Sequence, residues 1–285
     1  MDLPAPAPAA ALPDPAFVLT RPLRQTAPLV FASPHSGCNY RDDFVAAVRI
    51  DRLGLRRSED SFVDELFESA PSLGAPLLAA TFPRAYCDAN REAWELDPAM
   101  FEEALPDWVN TTSARVGAGL GTIARVVTSG EPIYRRKLRF ADAESRVRTL
   151  WQPFHAALRG LIDETLARFG RCVLIDCHSM PAAAPMPRGA VDVVLGDAHG
   201  TSCSPRTARK VEQALAGLGY KVRRNDPYAG GYITRHYGRP RDGVEALQIE
   251  LNRGLYMDES RIEKLPQFGA IQQDMARLIA ALATG

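Results

Sequence analysis

The stretch Gly170-Arg-Cys-Val-Leu-Ile-Asp-Cys-His-Ser-Met-Pro181 decides the fold that the sequence predicts. Its apolar, largely β-branched run Val173–Ile175 suits a strand buried on both faces, and the flanking glycine and proline mark the limits of the element. Asp176, His178 and Ser179 follow this run. Because open α/β sheets bind ligands beyond the carboxyl ends of their strands, His178 is a candidate metal ligand or base. A hydrogen-bonded loop histidine is the alternative.

A second segment, Pro28–Gly37, has the same arrangement. Its apolar run Leu29–Ala32 predicts another buried strand, and a turn that contains His35 follows it. If the two strands are neighbours in a parallel sheet, His35 and His178 emerge at the same edge. Two such segments indicate shared chemistry more strongly than one does.

The remaining periodicity predicts an α/β protein. Apolar residues recur at helical spacing between 139 and 169, and this helical segment leads directly into the strand at 172–175. A helix that feeds a strand in this way is half of a βαβ unit, which is the building block of parallel sheets. Further strands are predicted at 76–81, 190–196, 220–223 and 244–253, and further helices at 204–218 and 270–282.

Composition narrows the class of protein. Of the 285 residues, 46% are hydrophobic and 24% charged, which is ordinary for a globular protein. Lys and Arg total 34, as do Asp and Glu, so the formal net charge of +0 argues against a nucleic acid or a membrane recognised by bulk charge. No apolar run reaches the ~18 residues of a membrane span. The five cysteines form no CxxC pair, which favours a reducing compartment and a cytoplasmic location.

Two segments have no predicted regular structure. The Ala- and Pro-rich N-terminus lacks the basic region of a signal peptide and predicts a flexible tail over residues 1–20, followed by a single catalytic domain over 21–285. The glycine-rich segment Gly117–Gly121 lacks both common phosphate-binding patterns, so we interpret it as a loop or lid.

Two carboxylates have positions that suit a catalytic centre. Asp60 precedes a helical pattern at 62–67, where it is either the N-cap of that helix or a metal ligand. Glu250 lies near the end of the strand at 244–253, on the face that also carries Gln248. Partial burial there would raise the pKa of Glu250 and suit it to general-base work, whereas an ion pair with an arginine is the alternative.

Two further segments carry groups that suit substrate binding. Asn90 and Arg91 follow the strand at 76–81, and an amide beside a guanidinium fork can grip a carboxylate. A surface cluster of ion pairs is the alternative. The segment 225–238 contains the glycine pair Gly230–Gly231 among polar and aromatic residues, which predicts a substrate-covering loop or else an ordinary surface loop.

Taken together, these residues indicate a metal-dependent hydrolase. Predicted strand ends supply His35 and His178, and a helix entrance supplies Asp60. Two histidines and one carboxylate are the ligand set of a catalytic zinc that keeps its fourth position for water. Glu250 would accept a proton from that water as it attacks a carbonyl. A Ser-His-Asp triad built on Ser179 or Ser36 is the internal rival, and it ranks lower because the chain has no GxSxG nucleophile elbow.

Two other histidines carry less weight. His155 falls inside the helical pattern at 139–169, so we interpret it as structural or exposed. His199 follows the predicted strand at 190–196 and is a weaker third candidate for chemistry.

The same motifs give the chain a resemblance to a known family. It resembles the N-formylglutamate amidohydrolases over nearly all of residues 25–280, and the motifs that begin at Gly230 and end at Glu250 are the most specific. The matching motifs are Ser33-Pro-His-Ser-Gly37, Asp60, Asp88-Ala-Asn-Arg91, Asp176-Cys-His-Ser179, Gly230-Gly-Tyr-Ile-Thr-Arg-His-Tyr-Gly238, Ala246-Leu-Gln-Ile-Glu250 and Tyr256-Met-Asp-Glu259.

That family is similar to the zinc carboxypeptidases and to acyl-amino-acid deacylases such as aspartoacylase. The resemblance implies a three-layer α/β/α fold of the phosphorylase/hydrolase type, with a mixed, mostly parallel sheet and one zinc ion. Carried over by position, His35, Asp60 and His178 would be the metal ligands and Glu250 the base. Related enzymes often place the acidic ligand three residues after the first histidine, where this chain has Cys38.

Because of that departure, Asp60 is the assigned acidic ligand and Glu59 and Asp64 are its reserves. The resemblance also implies that Asn90 and Arg91 match a pair that holds a substrate carboxylate. From the same matching motifs, we expect three further residues to contact the substrate: Ser179, Gly231 and Thr234.

We therefore expect a zinc amidohydrolase that cleaves N-formyl-L-glutamate, or a close N-acyl amino acid, to formate and the amino acid. A carboxypeptidase-like peptidase or another N-acyl-amino-acid deacylase is the first alternative. A non-catalytic metal- or ligand-binding module is the second, and Glu250 argues against it. The expected partner is a small-molecule substrate, without nucleic acid or membrane, and the oligomeric state stays open.

Overall fold

A seven-stranded mixed sheet forms the centre of the fold. The computed structural model describes residues 15–127, 129–183 and 190–284. The strands of the sheet are β1 (Phe17–Thr20), β2 (Leu29–Ser33), β3 (Leu77–Ala80), β4 (Cys172–Met180), β5 (Val193–Gly196), β6 (Val222–Arg224) and β7 (Val244–Asn252). Across the sheet they follow the order β1-β3-β2-β4-β7-β5-β6. A separate small hairpin pairs β8 (Met257–Asp258) with β9 (Glu263–Lys264).

Parallel pairing dominates the middle of this sheet. β2 pairs in parallel with β3 and β4, and β4 pairs in parallel with β7. β1 runs antiparallel to β3 and β5 antiparallel to β7, while β6 is parallel to β5. The carboxyl ends of β2, β4 and β7 therefore share one edge of the sheet. The predicted α/β class and the mixed, mostly parallel sheet are confirmed.

Helices cover both faces of the sheet. The helices are α1 (Asp42–Ala47), α2 (Arg52–Arg56), α3 (Val63–Leu66), α4 (Ala114–Gly117), α5 (Phe140–Arg146), α6 (Gln152–Phe169), α7 (Pro205–Gly217), α8 (Tyr232–Tyr237) and α9 (Phe268–Ala283). A π-helical turn at Val147–Trp151 joins α5 to α6 in one continuous helical segment, and Pro153, which lacks the N–H that a helix interior uses, lies just after this turn. Within the described ranges, no helix has the length and apolar composition needed to cross a bilayer.

The central strands β2, β4 and β7 supply side chains to two hydrophobic cores. Phe31, Ile175 and Leu247 belong to the core that also contains residues of α7 and α9. Leu174 and Ala246 point to the opposite face and pack in a core with residues of α6. β4 is buried along its whole length, because helices cover it on both sides. The result is the expected three-layer α/β/α arrangement.

The structure corrects the predicted N-terminal boundary. The sequence assigns residues 1–20 to a flexible tail, but Phe17–Thr20 form the edge strand β1 and pair with Leu77–Ala80. This strand has only four residues, so its alternation is too short for a periodicity argument to recognise. Residues 1–14 lie outside the described part of the chain.

His155 holds together the elements beneath the site. Its Nδ1 lies 2.8 Å from the hydroxyl oxygen of Tyr237 in α8, and its Nε2 lies 2.8 Å from the carbonyl oxygen of Ala89. The ring also stacks on Trp151 at a centroid distance of 3.8 Å. Burial lowers the pKa of His155 to about 3. The imidazole is therefore neutral and structural, as its place in the helical pattern indicated.

This burial predicts a pH-dependent stability. His155 stays neutral in the folded protein, whereas in the unfolded chain it gains a proton once the pH falls below about 6.5. The free energy of unfolding should therefore decrease between about pH 7 and about pH 5, with up to ~1.4 kcal/mol per pH unit from this group. Urea unfolding of the wild type and of His155→Gln at both pH values measures it. An identical pH dependence in the two proteins would contradict the assignment.

Candidate active site

Three neighbouring strands and one loop bring the predicted site residues together. His35 lies two residues beyond the end of β2, and His178 and Glu250 lie on β4 and β7, where they are register partners. Asp60 reaches the same place because its backbone N–H donates to the carbonyl oxygen of His35, at 3.0 Å. The chain turns after Asp60 through Phe62, whose φ of 67° is left-handed, and then enters α3.

His35, Asp60 and His178 form a buried group that could hold a metal ion. Their ligand atoms all lie within 4.8 Å of one another. Asp60 Oδ2 lies 2.9 Å from Nδ1 of His178 and 3.4 Å from Nδ1 of His35. Among the described residues, His35 Nδ1 is a buried nitrogen without a hydrogen-bond partner. Two imidazole nitrogens and one carboxylate oxygen suit a divalent transition metal such as zinc, and such an ion would satisfy that nitrogen.

Two further carboxylates fix the orientation of the imidazole rings. Asp88 Oδ1 lies 2.7 Å from Nε2 of His35, and Asp176 Oδ1 lies 2.8 Å from Nε2 of His178. Each carboxylate thus occupies the Nε2 side of its ring and leaves Nδ1 to face Asp60. Metal-binding histidines usually have such a partner on the second nitrogen. The sequence already indicates this role for Asp176, because a residue two positions before His178 lies on the same face of the strand.

The other oxygen of Asp60 is also held. Its Oδ1 accepts a hydrogen bond from Nη2 of Arg253 at 3.1 Å and one from the hydroxyl of Ser179 at 3.3 Å. Burial alone would raise the pKa of Asp60, but His178 and His35 hold this pKa well below its usual value. The carboxyl is therefore ionised and aligned. Arg253 is a site residue that the sequence did not single out as part of this centre.

The two reserve carboxylates are occupied elsewhere. Glu59 accepts hydrogen bonds from the hydroxyls of Tyr40 at 2.6 Å and Ser61 at 2.7 Å. Asp64 lines a different cavity, which also includes Thr20 of the sheet edge. The geometry thus favours Asp60 over Glu59 and Asp64.

Glu250 lies beside the histidine pair and is oriented by its own strand. The Nε2 of Gln248 donates to Glu250 Oε1 at 2.6 Å, and Gln248 Oε1 in turn accepts from the backbone N–H of Gly231 at 2.7 Å. Burial raises the pKa of Glu250 to about 7, against the opposing charge of His178. A carboxyl with a pKa near neutrality can both accept and return a proton.

A cavity of about 500 Å³ opens onto this group. That volume suits a small-molecule ligand. Asp60 and Glu250 are the carboxylates in the described part of its wall. The arginines of the wall are Arg84, Arg91, Arg115, Arg235 and Arg253.

Asn90, Arg91, Ser179 and Gly231 lie on the cavity wall, as expected for residues near a substrate. Asn90 is also structural, because its Oδ1 accepts from the N–H of Ile233 at 2.7 Å and its Nδ2 lies 2.9 Å from His178 Nε2. A Cβ on Gly231 would lie 2.4 Å from Asn90 Nδ2, so only glycine fits there.

Thr234 has a structural role at this site. It is 0% exposed and lies behind the cavity wall, where its hydroxyl donates to Asp176 Oδ2 at 3.3 Å. The expected substrate contact of Thr234 stays a prediction, and in this structure Thr234 supports the carboxylate that orients His178. His199 is exposed and lies outside the residues that line this cavity.

The fold and this site are those of an amidohydrolase, a hydrolase that cleaves amide bonds. The family model for N-formylglutamate amidohydrolase matches residues 27–257, and the chain belongs to this family. Its relatives include the N-formylglutamate deformylase of Pseudomonas putida, 31% identical over 241 residues that cover 82% of this chain and 83% of that protein. The deformylase of Pseudomonas aeruginosa is 31% identical over 242 residues, which cover 83% and 84%. The predicted resemblance is confirmed.

One solved structure agrees with the family assignment, and a second shows the same fold. The crystal structure of N-formylglutamate amidohydrolase from Ralstonia eutropha JMP134 is 39% identical and has a TM-score of 0.89, over 94% of this chain and 97% of that one. Gene product Atu2144 from Agrobacterium tumefaciens shares the fold at 17% identity and a TM-score of 0.66, over 94% and 96% of the two chains.

The geometry of the ligand group predicts that metal binding depends on His178. His178→Ala leaves one imidazole and one carboxylate, too few ligands to retain a transition metal through purification. Elemental analysis of the purified protein should show metal in the wild type and near-complete loss in the variant. His199→Ala, which changes an exposed histidine, is the matched control and should keep its metal. Full occupancy in His178→Ala would contradict the site.

Proposed function

We propose that the chain is a zinc-dependent amidohydrolase that hydrolyses N-formyl-L-glutamate to formate and L-glutamate. The observation that carries this proposal is the buried Glu250 carboxyl opposite His178, within a cavity that also exposes the His35, Asp60 and His178 ligand group. The names of the relatives supply the substrate. The substrate is a small molecule, in accord with the size of the cavity.

In this proposal His35, Asp60 and His178 hold the zinc ion. When bound there, zinc supplies Lewis-acid activation of water and of the formyl carbonyl group. The outer carboxylates of Asp88 and Asp176 keep Nδ1 of each imidazole free for the ion, because they engage the Nε2 atoms.

Glu250 acts as the proton carrier. Its raised pKa suits acceptance of a proton from the attacking water and donation of that proton to the nitrogen of the departing glutamate. Gln248 keeps the carboxyl oriented through its 2.6 Å hydrogen bond. Both residues are largely buried, which limits their contact with bulk water.

The arginines of the cavity provide the attraction for an anionic substrate. N-formyl-L-glutamate carries two carboxylates, whereas the chain has a formal net charge of +0, so the attraction must be local. Arg91 uses its Nε for the carbonyl oxygen of Leu120 and its Nη1 for that of Asn90. The fixed guanidinium presents its remaining N–H groups to the α-carboxylate of the substrate. Ser179 and Gly231 complete the wall around it.

Replacement of Glu250 tests the chemical step. Glu250→Gln keeps the shape and the hydrogen bond to Gln248 but cannot accept a proton. The value of kcat for N-formyl-L-glutamate should fall by ~10²–10⁴-fold while the metal content stays unchanged. Glu263→Gln, the same change at an exposed position, is the control. A near-normal kcat in Glu250→Gln would show that this carboxyl is structural only.

Replacement of Arg91 tests recognition of the α-carboxylate. Arg91→Lys keeps the charge but loses the planar fork, so kcat/KM for N-formyl-L-glutamate should fall roughly ten- to hundredfold. The α-amide analogue, N-formyl-L-isoglutamine, should be a poor substrate for the wild type and lose much less in the variant. Equal losses on the two substrates would show that Arg91 does not contact this carboxylate.

A further inference from the structure

The arginines that line the cavity differ in what they already bind. Arg253 is paired with Asp60 at 3.1 Å, and Arg84 is paired with Asp88 at 3.0 Å. Arg91 holds two backbone carbonyl oxygens, and its Nη2 lies 3.8 Å from Asp88. These three guanidinium groups are therefore committed at least in part to the protein itself.

Arg115 is different. It lies on the cavity wall and is exposed, and within the described part of the chain its side chain has no hydrogen bond or ion pair. Arg235, the other exposed arginine of the wall, has its Nε turned to the carbonyl oxygen of Gly230 at 3.3 Å. A cation without a protein partner on a cavity wall is available to an anionic ligand.

The local backbone gives Arg115 a defined position. The hydroxyl of Ser113 accepts from the N–H of Val116 at 3.1 Å and caps the short helix α4. The carbonyl oxygen of Arg115 accepts from the N–H of Leu120 at 2.8 Å, and the carbonyl oxygen of Leu120 accepts from Nε of Arg91 at 2.8 Å. Two hydrogen bonds through Leu120 thus join the backbone of Arg115 to the guanidinium of Arg91.

The glycine-rich segment Gly117–Gly121 makes this connection possible. Gly119 has a φ of 74°, a left-handed conformation that lets the chain turn back so that Leu120 reaches Arg115. Arg91 and Arg115 are close enough to interact electrostatically. Burial lowers the pKa of Arg91, and the charges of Arg84 and Arg115 lower it further against the opposing effect of Asp88.

We infer that Arg115 binds the side-chain carboxylate of the substrate and so determines specificity for dicarboxylic over monocarboxylic N-acyl amino acids. This inference rests on the proposed function. Contacts connect Arg91 to both sides: its Nη2 lies 3.8 Å from Asp88, which contacts His35 of the ligand group, and its Nε donates to Leu120, which is hydrogen-bonded to Arg115. A substrate whose formyl group faces the ligand group then has its α-carboxylate at Arg91 and its side-chain carboxylate at Arg115. The repulsion between the guanidinium groups of Arg91 and Arg115 is offset when the two carboxylates of the substrate bind to them.

The test compares N-formyl-L-glutamate with N-formyl-L-glutamine, which replaces only the side-chain carboxylate by a neutral amide of the same shape. The ratio of kcat/KM for the two substrates is measured in the wild type and in Arg115→Gln, Arg115→Lys and Arg206→Gln. Arg206 is an exposed arginine outside the cavity, so its variant makes the same change in net charge.

The wild type should prefer the glutamate substrate, and in Arg115→Gln this preference should fall roughly ten- to hundredfold, mainly through a higher KM for N-formyl-L-glutamate. Arg115→Lys should restore part of the preference, because it keeps the charge without the fork. Arg206→Gln should keep the ratio of the wild type.

Several results would overturn the inference. An unchanged ratio in Arg115→Gln, or an equal loss on both substrates, would show that Arg115 does not contact the side-chain carboxylate. An equal fall of the kcat/KM ratio in Arg206→Gln would show that the loss of preference comes from the change in net charge and not from a contact with Arg115. A wild type that hydrolyses both substrates but with no preference would overturn the inference alone, whereas one that hydrolyses neither would overturn the proposed function with it.

Discussion

The placement of two imidazole rings between buried carboxylates governs the rest of this structure. His35 and His178 each contact an outer carboxylate, Asp88 or Asp176, through Nε2, and both turn Nδ1 toward Asp60. Buried charges are costly unless they are paired, so this concentration of negative charge requires cations around it. Guanidinium groups of two arginines supply part of the positive charge, because they pair with Asp88 and Asp60. The ligand atoms of the two imidazole rings and of Asp60 have a geometry that suits a metal ion, which would supply more.

Sheet topology makes this arrangement possible. Parallel pairing of β4 with β7 makes His178 and Glu250 register partners, so the distance between them depends on a continuous ladder of backbone hydrogen bonds. β5 then runs antiparallel beside β7, and the loop that follows β6 returns over the same edge. This loop packs closely against the end of β5, since a Cβ on Gly196 would lie 2.7 Å from the backbone nitrogen of Gly230.

Strand ends and faces could be predicted from the sequence because they depend on local pattern. The apolar runs before His35 and His178, and the alternation around Glu250, are visible without tertiary information. Other features depend on contacts between distant segments. Asp60 and Glu59 are adjacent in the sequence and differ in the direction of their side chains. The hydrogen bond from the backbone N–H of Asp60 to the carbonyl oxygen of His35 sets that direction. The burial of Thr234 behind Asp176 and the pairing of β1 are equally non-local.

Two hydrogen bonds, from Gly231 to Gln248 and from Gln248 to Glu250, connect the cavity wall to the orientation of one carboxyl group. The loop that contains Gly231 forms part of the cavity wall. The backbone N–H of Gly231 donates to the side-chain oxygen of Gln248, whose amide nitrogen donates to Glu250. Any outward movement of the loop that breaks this hydrogen bond also releases Gln248, and with it the alignment of the Glu250 carboxyl. In the proposed function, the position of this loop therefore also controls the orientation of the proton carrier.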